Sequence, residues 1–396
     1  MNENRVLVSV KKIDKIEPLT LKNGEVARSV LAFIGGWKAT VGAEEFKVGD
    51  TVVFAETDSV FPVEERWYFL EKHKYRIKTQ KYGNLIRPNG ETVISQGLIL
   101  PMSVLPEKAG GYEIGENVTS ILGVTHAPES DEDEYADNAE FGKDKATVVR
   151  LKKWMPAKLF NKLMRYAWFR KMVMPPKEPK GFVREVSKTD EERIQNCGNV
   201  LNADTLWTAT EKVDGTSSTY RLKRKKGNFI KHLFGKDSYD FAVCTRNNRL
   251  NTPNNTSVQW VMAKKYNIYD GLKKLIGKND WVAIQGECAG PKIQKNRLGL
   301  KVNRLFVFNL YYPNGRVKSV EARELIKGIG LEWVPIIETG LDLHGKTEED
   351  LLNMANGKSA LNPDKPREGI VFRAENPDMD LSFKAVSPEY CLKKGE

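Results

Sequence analysis

The chain has 396 residues and a formal net charge of +11, from 63 Lys and Arg against 52 Asp and Glu. That length supports two or three domains with cores of their own. The charge suits a polyanion such as nucleic acid, although a basic cytosolic protein without such a partner has the same balance. Four widely spaced cysteines (Cys197, Cys244, Cys288, Cys391) and four scattered histidines exclude a disulfide framework, a Cys/His zinc site and a Ser-His-Asp triad. No long apolar run and no apolar leader after Met1 are present, so a reducing intracellular compartment is expected and a membrane partner is not.

In chain order, the first hundred residues read as short strands between turn signals: Val6–Val10, Ser29–Ile34, Thr51–Ala55 launched by the turn Lys47–Asp50, and Ser95–Pro101. This pattern predicts a small barrel or sandwich, with an OB-type barrel preferred. Arg76–Lys81 adds basic residues to it. Glu129–Glu134 is an acidic run that reads as a solvated linker. Around Lys158–Lys171, Leu159, Phe160, Leu163, Met164 and Ala167 recur at helical spacing, with Lys158, Lys162 and Arg165 on another face. That helix either lies along nucleic acid or docks by its apolar face. Met174–Lys180 is rich in proline and marks a boundary.

Beyond it, strands are expected at Leu206–Thr210, Ser218–Leu222, Phe241–Thr245, Trp281–Gln285, Leu305–Tyr311, Gly369–Arg373 and Leu381–Phe383, with helices at Ser257–Tyr266 and Val320–Ile326. Asp214-Gly215 reads as a tight hairpin joining the first two strands, with Lys212 at its lip. Gly286-Glu287 reads as the end of the Trp281 strand.

The segment Glu211-Lys212-Val213-Asp214-Gly215 suggests a lysine that attacks a nucleotide phosphate. A free lysine has a pKa of about 10.4, so burial or nearby cations must lower it. Downstream residues give each part of a nucleotide a partner. Phe308 can stack on adenine, and Glu287 can accept from ribose hydroxyls. Lys384 and a divalent metal can neutralise the α-phosphate, Glu368 or Asp214 can hold that metal, and Arg246 can reach the ribose or a phosphate. Each also has an ordinary use, as turn, core or strand end; their order after Lys212 is the argument for chemistry.

This set resembles the covalent nucleotidyltransferases, the superfamily of ligases and capping enzymes. Gly286–Gln294 and Lys188–Asn196 resemble ATP-dependent RNA ligases, and Val48–Phe54, Arg76–Thr79 and Ser95–Pro101 resemble the N-terminal OB domain of RNA ligase family five. The resemblance implies an α+β chain: an OB-type β-barrel over residues 1–124, a linker or insertion with an amphipathic helix over 125–180, and a nucleotidyltransferase domain of antiparallel sheets and helices over 181–396. It implies ATP and Mg2+ or Mn2+ as cofactors, a lysyl-AMP on Lys212, and transfer of AMP to a 5′-phosphate end. Joining to a 3′-OH RNA end follows, at a nick in an RNA or RNA/DNA duplex, by a monomer. Glu211 would lie against the adenine and Arg193 would orient the leaving pyrophosphate. A DNA ligase, a capping-type enzyme and a non-catalytic nucleic-acid-binding relative are the alternatives. Only Ala385–Glu396 follow Lys384, which disfavours relatives with a C-terminal OB domain. One departure stands out: the family's last motif alternates two lysines, and here Ser382 and Val386 flank Lys384, so either one lysine suffices or another cation such as Arg373 or Lys292 contributes.

Overall fold

A computed structural model describes residues 6–127, 163, 181–225, 238–250, 257–376 and 379–394. The expected basic helix, Lys158–Lys171, lies outside the described residues apart from Leu163.

The first domain is built on two sheets. One runs in the order Val8–Lys12, Thr51–Ala55, Leu98–Leu100; the other runs Trp37–Gly42, Val26–Ile34, Lys15–Leu21, Gln80–Ile86, Thr92–Ser95. The expected strand at Ser95–Pro101 is in fact two strands, broken at Gly97. Gly97 has a φ of +111°, and a Cβ there would stand 2.4 Å from the Phe54 ring, so only glycine fits the bend. Thr125–His126 pairs with Ser59–Val60, which joins these residues to the first domain rather than to the linker.

The second domain has two larger sheets. The first orders Glu192–Arg193, Ser382–Val386, Gly369–Ala374, Trp207–Lys212 and Ile336–Leu341. The second is seven-stranded and centres on Thr216–Arg224, Trp281–Ala289 and Arg304–Tyr312. The pairings are antiparallel except for two short ones, Glu192–Arg193 with Ser382–Val386 and Arg304–Tyr312 with Glu332–Trp333. Trp207–Lys212 is buried through its first five residues because strands flank it on both sides. Phe372 and Phe383 stack at 4.9 Å beneath it. On the second sheet, Tyr220, Ile284, Leu305 and Phe306 pack against helices that include Val258–Lys265 and Ser319–Gly328. The Ser257 hydroxyl caps the first of these by accepting from the Trp260 amide.

Two expectations about local structure fail. Trp207–Lys212 and Thr216–Arg224 do not form a hairpin; they lie in different sheets, and Val213-Asp214-Gly215 carries the chain across. Neither Asp214 nor Gly215 has a positive φ, which the tight hairpin turn requires. The glycine serves close approach instead: a Cβ on Gly215 would meet the Cys288 carbonyl oxygen at 2.2 Å. Gly286-Glu287 likewise does not end a strand. The strand continues to Ala289, with a register shift between Gln285 and Gly286.

The two domains meet along Arg193–Gly198 and the helix Glu348–Ala355. Trp37 Nε1 donates to Asn196 Oδ1 at 2.7 Å, and Asn196 Nδ2 donates to Glu56 at 2.6 Å. Glu349 accepts from Lys38 and from Arg87, each at 2.7 Å. A Cβ on Gly36 would lie 2.6 Å from Gln195 Cα, so the backbones are in direct contact.

Candidate active site

A cleft opens between the two sheets of the second domain and is closed on one side by the first. Its lining includes Lys212, Glu287, Phe308, Glu368 and Lys384. All the remaining sequence-designated residues (Arg193, Glu211, Asp214, Arg246) line the same cleft. The topology explains why. Lys212 stands opposite Gly369 on the neighbouring strand, so Glu368 falls beside it. Ser217 on the crossover strand stands opposite Glu287, and Glu287 opposite Phe306, two residues from Phe308.

Lys212 Nζ donates to Glu368 Oε1 at 2.7 Å, with the lysine side chain 27% exposed and the glutamate 11%. Burial opposes the ammonium charge, but the Glu368, Glu287 and Asp214 carboxylates outweigh it and hold the pKa above the ordinary lysine value. The expectation that neighbouring groups of the protein lower this pKa is therefore corrected: the residues around Lys212 raise it, because the nearest charges are carboxylates rather than cations.

Asp214 Oδ2 accepts from Arg297 at 3.1 Å and from the Tyr390 hydroxyl at 2.7 Å. Glu211 is turned into the wall: its carboxylate accepts from the Ser359 hydroxyl and, at 2.7 Å, from the Ala360 amide. Burial raises the Glu211 pKa even though these donors favour the charged form.

A second cluster lies across the cleft. Asp190 Oδ1 stands 2.8 Å from Arg246 Nη2 and 3.6 Å from Lys384 Nζ. Arg373 is 2% exposed and donates to Thr210 at 2.8 Å and to Asn309 at 2.9 Å. Its guanidinium sits 5.2 Å from the Phe308 ring centroid, and burial lowers its pKa to about 10. Of the two cations offered as substitutes for the absent second lysine, Arg373 is in the cleft, whereas Lys292 is exposed and does not line it.

Residues that sequence reasoning missed come from the first domain. Asp58, Arg76 and His126 line the cleft. Asp58 pairs with Arg76 at 2.5 Å and with Arg193 at 3.2 Å. Burial would raise its pKa, but Arg193 and Arg76 hold the carboxyl below the usual range. Asp58 has a φ of +74°. Nothing in its local sequence marks it, whereas Asp190 and Glu191 sit in a segment already singled out.

Among the described residues no group of three or more His, Cys, Asp or Glu is close enough to hold a metal alone. The donor set around Lys212 does suit a hard cation held by one or two carboxylates with water completing its shell. No described helix is long and apolar enough to cross a membrane.

Residues 205–386 match the RNA ligase family, and residues 7–102 match an OB-fold domain family. No curated protein matches. Among solved structures, an RNA ligase of Naegleria gruberi with PPi is 27% identical, with a TM-score of 0.71 over 99% of this chain and 100% of that one. A mutant of the same enzyme with ATP and Mn is 26% identical, with a TM-score of 0.71 over 99% of this chain and 100% of that one. A further mutant with AMP and Mn is 27% identical, with a TM-score of 0.70 over 98% and 99%. The expected N-terminal OB domain and α+β class are thus both found.

Proposed function

Because residues 205–386 match the RNA ligase family and an OB-fold domain match lies ahead of them, we propose that this chain is an ATP-dependent RNA ligase working through a lysyl-AMP on Lys212. The observation that carries the reading is the 2.7 Å pair of Lys212 and Glu368 inside a cleft that also presents Glu287, Phe308 and Lys384.

In the first step the Lys212 amine attacks the α-phosphate of ATP. The P–N bond forms as the bond to pyrophosphate breaks, and the amine gives up its protons to solvent. Phe308 stacks on the adenine, Glu287 accepts from the ribose, and Lys384 neutralises charge at the α-phosphate. Glu211 shapes the adenine wall through the Ser359–Ala360 turn it holds. Arg193 faces the leaving pyrophosphate where Asp58 and Arg76 of the first domain close the cleft. Arg246 contacts the ribose or a phosphate, and Arg373 takes the place of the second lysine.

The metal, Mg2+ or Mn2+, would be held by Glu368 or Asp214 through water, as a hard cation held by few carboxylates is. Its chemistry would be electrostatic: a dication among these carboxylates would offset the field that keeps Lys212 protonated and would neutralise phosphate charge. AMP then passes from Lys212 to a 5′-phosphate end, and a 3′-OH RNA end displaces it to leave a phosphodiester at a nick. We assign the protein to a reducing intracellular compartment and read it as a monomer.

Incubation with α-labelled ATP and Mn2+ or Mg2+ tests the reading. Label should stay on the wild-type protein, disappear with Lys212→Ala, and fail to form in excess chelator. Label retained by Lys212→Ala would remove that lysine from its role. Sealing of nicks with the 3′ strand varied between RNA and DNA tests the substrate, and equal rates would sink the RNA preference.

A further inference from the structure

Arg76, which lines the cleft, belongs to a surface of the first domain whose other residues the ligase chemistry does not use. The short helix Glu65–His73 buries Trp67 and Leu70 but leaves Tyr68 57% and Phe69 56% exposed. The Phe69 ring is firmly based. Trp67 packs on Phe61 at 4.7 Å, and Phe69 meets Trp67 edge-on at 6.3 Å.

The chain then turns through two left-handed residues, Lys74 (φ 54°) and Tyr75 (φ 59°). It runs on as Lys72-His-Lys-Tyr-Arg-Ile-Lys-Thr-Gln-Lys81, which holds five Lys or Arg and no carboxylate. Lys72, Lys74 and Lys81 are exposed and Lys78 is half-buried. The Tyr75 carbonyl accepts from the Phe61 amide at 2.9 Å, and the Ile77 amide donates to Ser59 at 2.8 Å. The basic run is therefore tied to the residues next to Asp58, and Arg76 in its middle lines the cleft. Of the carboxylates before it, Glu64 is paired with Arg66 at 2.7 Å, while Glu65 and Glu71 belong to the helix itself.

We propose that Tyr68 and Phe69 with the run Lys72–Lys81 form a track for an unpaired nucleic-acid strand that leaves the cleft beyond the duplex, with bases stacked on Tyr68 and Phe69 and phosphates on Lys72, Lys74 and Lys78. This rests on the ligase reading for the identity of the polyanion. Charge decides between partners. Lysine-rich surface is depleted from protein–protein interface cores, whereas exposed aromatic rings beside a carboxylate-free basic strip are what single strands use, since every base has a face to stack.

The test is binding of a fluorescent single-stranded RNA of mixed sequence to the full chain, followed by anisotropy across a salt series. Tyr68→Ala with Phe69→Ala should weaken binding at least about fivefold per ring, what one stacked base contributes. Tyr68→Trp with Phe69→Trp should restore it. Lys72→Gln, Lys74→Gln and Lys78→Gln together should reduce the slope of log affinity against log salt by about 2, for three lost single-strand phosphate contacts. Binding within twofold of wild type for the alanine pair, at an unchanged melting temperature, overturns the track. So does an alanine loss that tryptophan fails to restore, which would leave a structural or protein-partner role for the rings. Labelling of wild-type protein by α-labelled ATP without RNA tests the ligase reading separately. Label without ring-dependent RNA binding sinks only the track; ring-dependent binding without label supports the track and sinks the ligase reading.

Discussion

The Lys212 ammonium donates to Glu368 across 2.7 Å, from a strand end that stands opposite Gly369 on the neighbouring strand. The nucleophile proposed for phosphate attack is thus held in its unreactive, protonated form by a carboxylate one residue before its register partner. The pair keeps Lys212 ordered, and its pKa sits above the ordinary 10.5 because of Glu368, Glu287 and Asp214, despite burial.

Glu368→Gln removes the nearest of these charges, so the Lys212 pKa should fall. Measured as the pH dependence of Lys212 modification by an amine-reactive probe without nucleotide, the midpoint should move to lower pH. The sign for stability follows. A raised lysine pKa contributes stability that is fully present below about 10.5 and is lost as pH rises through the folded-state value. The variant should therefore lack the alkaline loss of stability that this pair causes in wild type. An unchanged modification profile would show that Glu368 does not set the charge on Lys212.

Asp58 joins the domains by facing both Arg76 and Arg193. Asp58→Asn tests the charge alone, since asparagine tolerates the positive φ at this position. Removing one partner of a buried ion pair costs about 3 kcal/mol, so the melting temperature at neutral pH should drop. Because the Asp58 pKa is depressed, its contribution is present above the ordinary value of 3.8 and disappears as pH falls through the lower folded-state value. Wild type and variant should converge in strong acid; a constant gap there would assign the loss to packing.

Gly215→Ala places a methyl against the Cys288 carbonyl oxygen, 2.2 Å from the ideal Cβ position. Backbone cannot yield as a flexible side chain does, so the crossover must shift. Overpacking of this kind costs about 1–3 kcal/mol, and transfer of label from ATP should fall with it because Lys212 lies three residues upstream. Full labelling at wild-type stability would refute the close-approach account of this glycine.

Tyr390 is 5% exposed and gives its hydroxyl proton to Asp214 at 2.7 Å. Tyr390→Phe keeps the ring and deletes that bond, and should cost about 1.5–3 kcal/mol as a hydrogen bond to a charged group. If the helix Pro388–Lys394, which carries Tyr390, positions Asp214 for the first step, the labelling rate should fall while binding of ATP changes little. Equal loss of both would make Tyr390 a structural residue only.

Much of this site was legible because its side chains lie on or beside strands, along which residue type and order survive translation into structure. Lys212, Glu287, Phe308, Glu368 and Lys384 all reach one cleft. Local turn chemistry misled at Asp214-Gly215, since glycine serves both positive φ and close approach and the sequence does not say which. It misled again at Gly286, where a bulge inside a strand carries the same signal as its end.

By itself, the sequence determined the strand-rich first domain, the identity and order of the reactive side chains, and the basic segment Arg76–Lys81. Those are properties of single residues and short periodicities. Only the tertiary structure decided that Asp58 meets Arg193, 135 positions away, and that the first domain completes the cleft. It also decided the sign of the field at Lys212. A pKa depends on every charge within a few ångströms, and here the near charges come from two sheets whose crossing point no local pattern encodes.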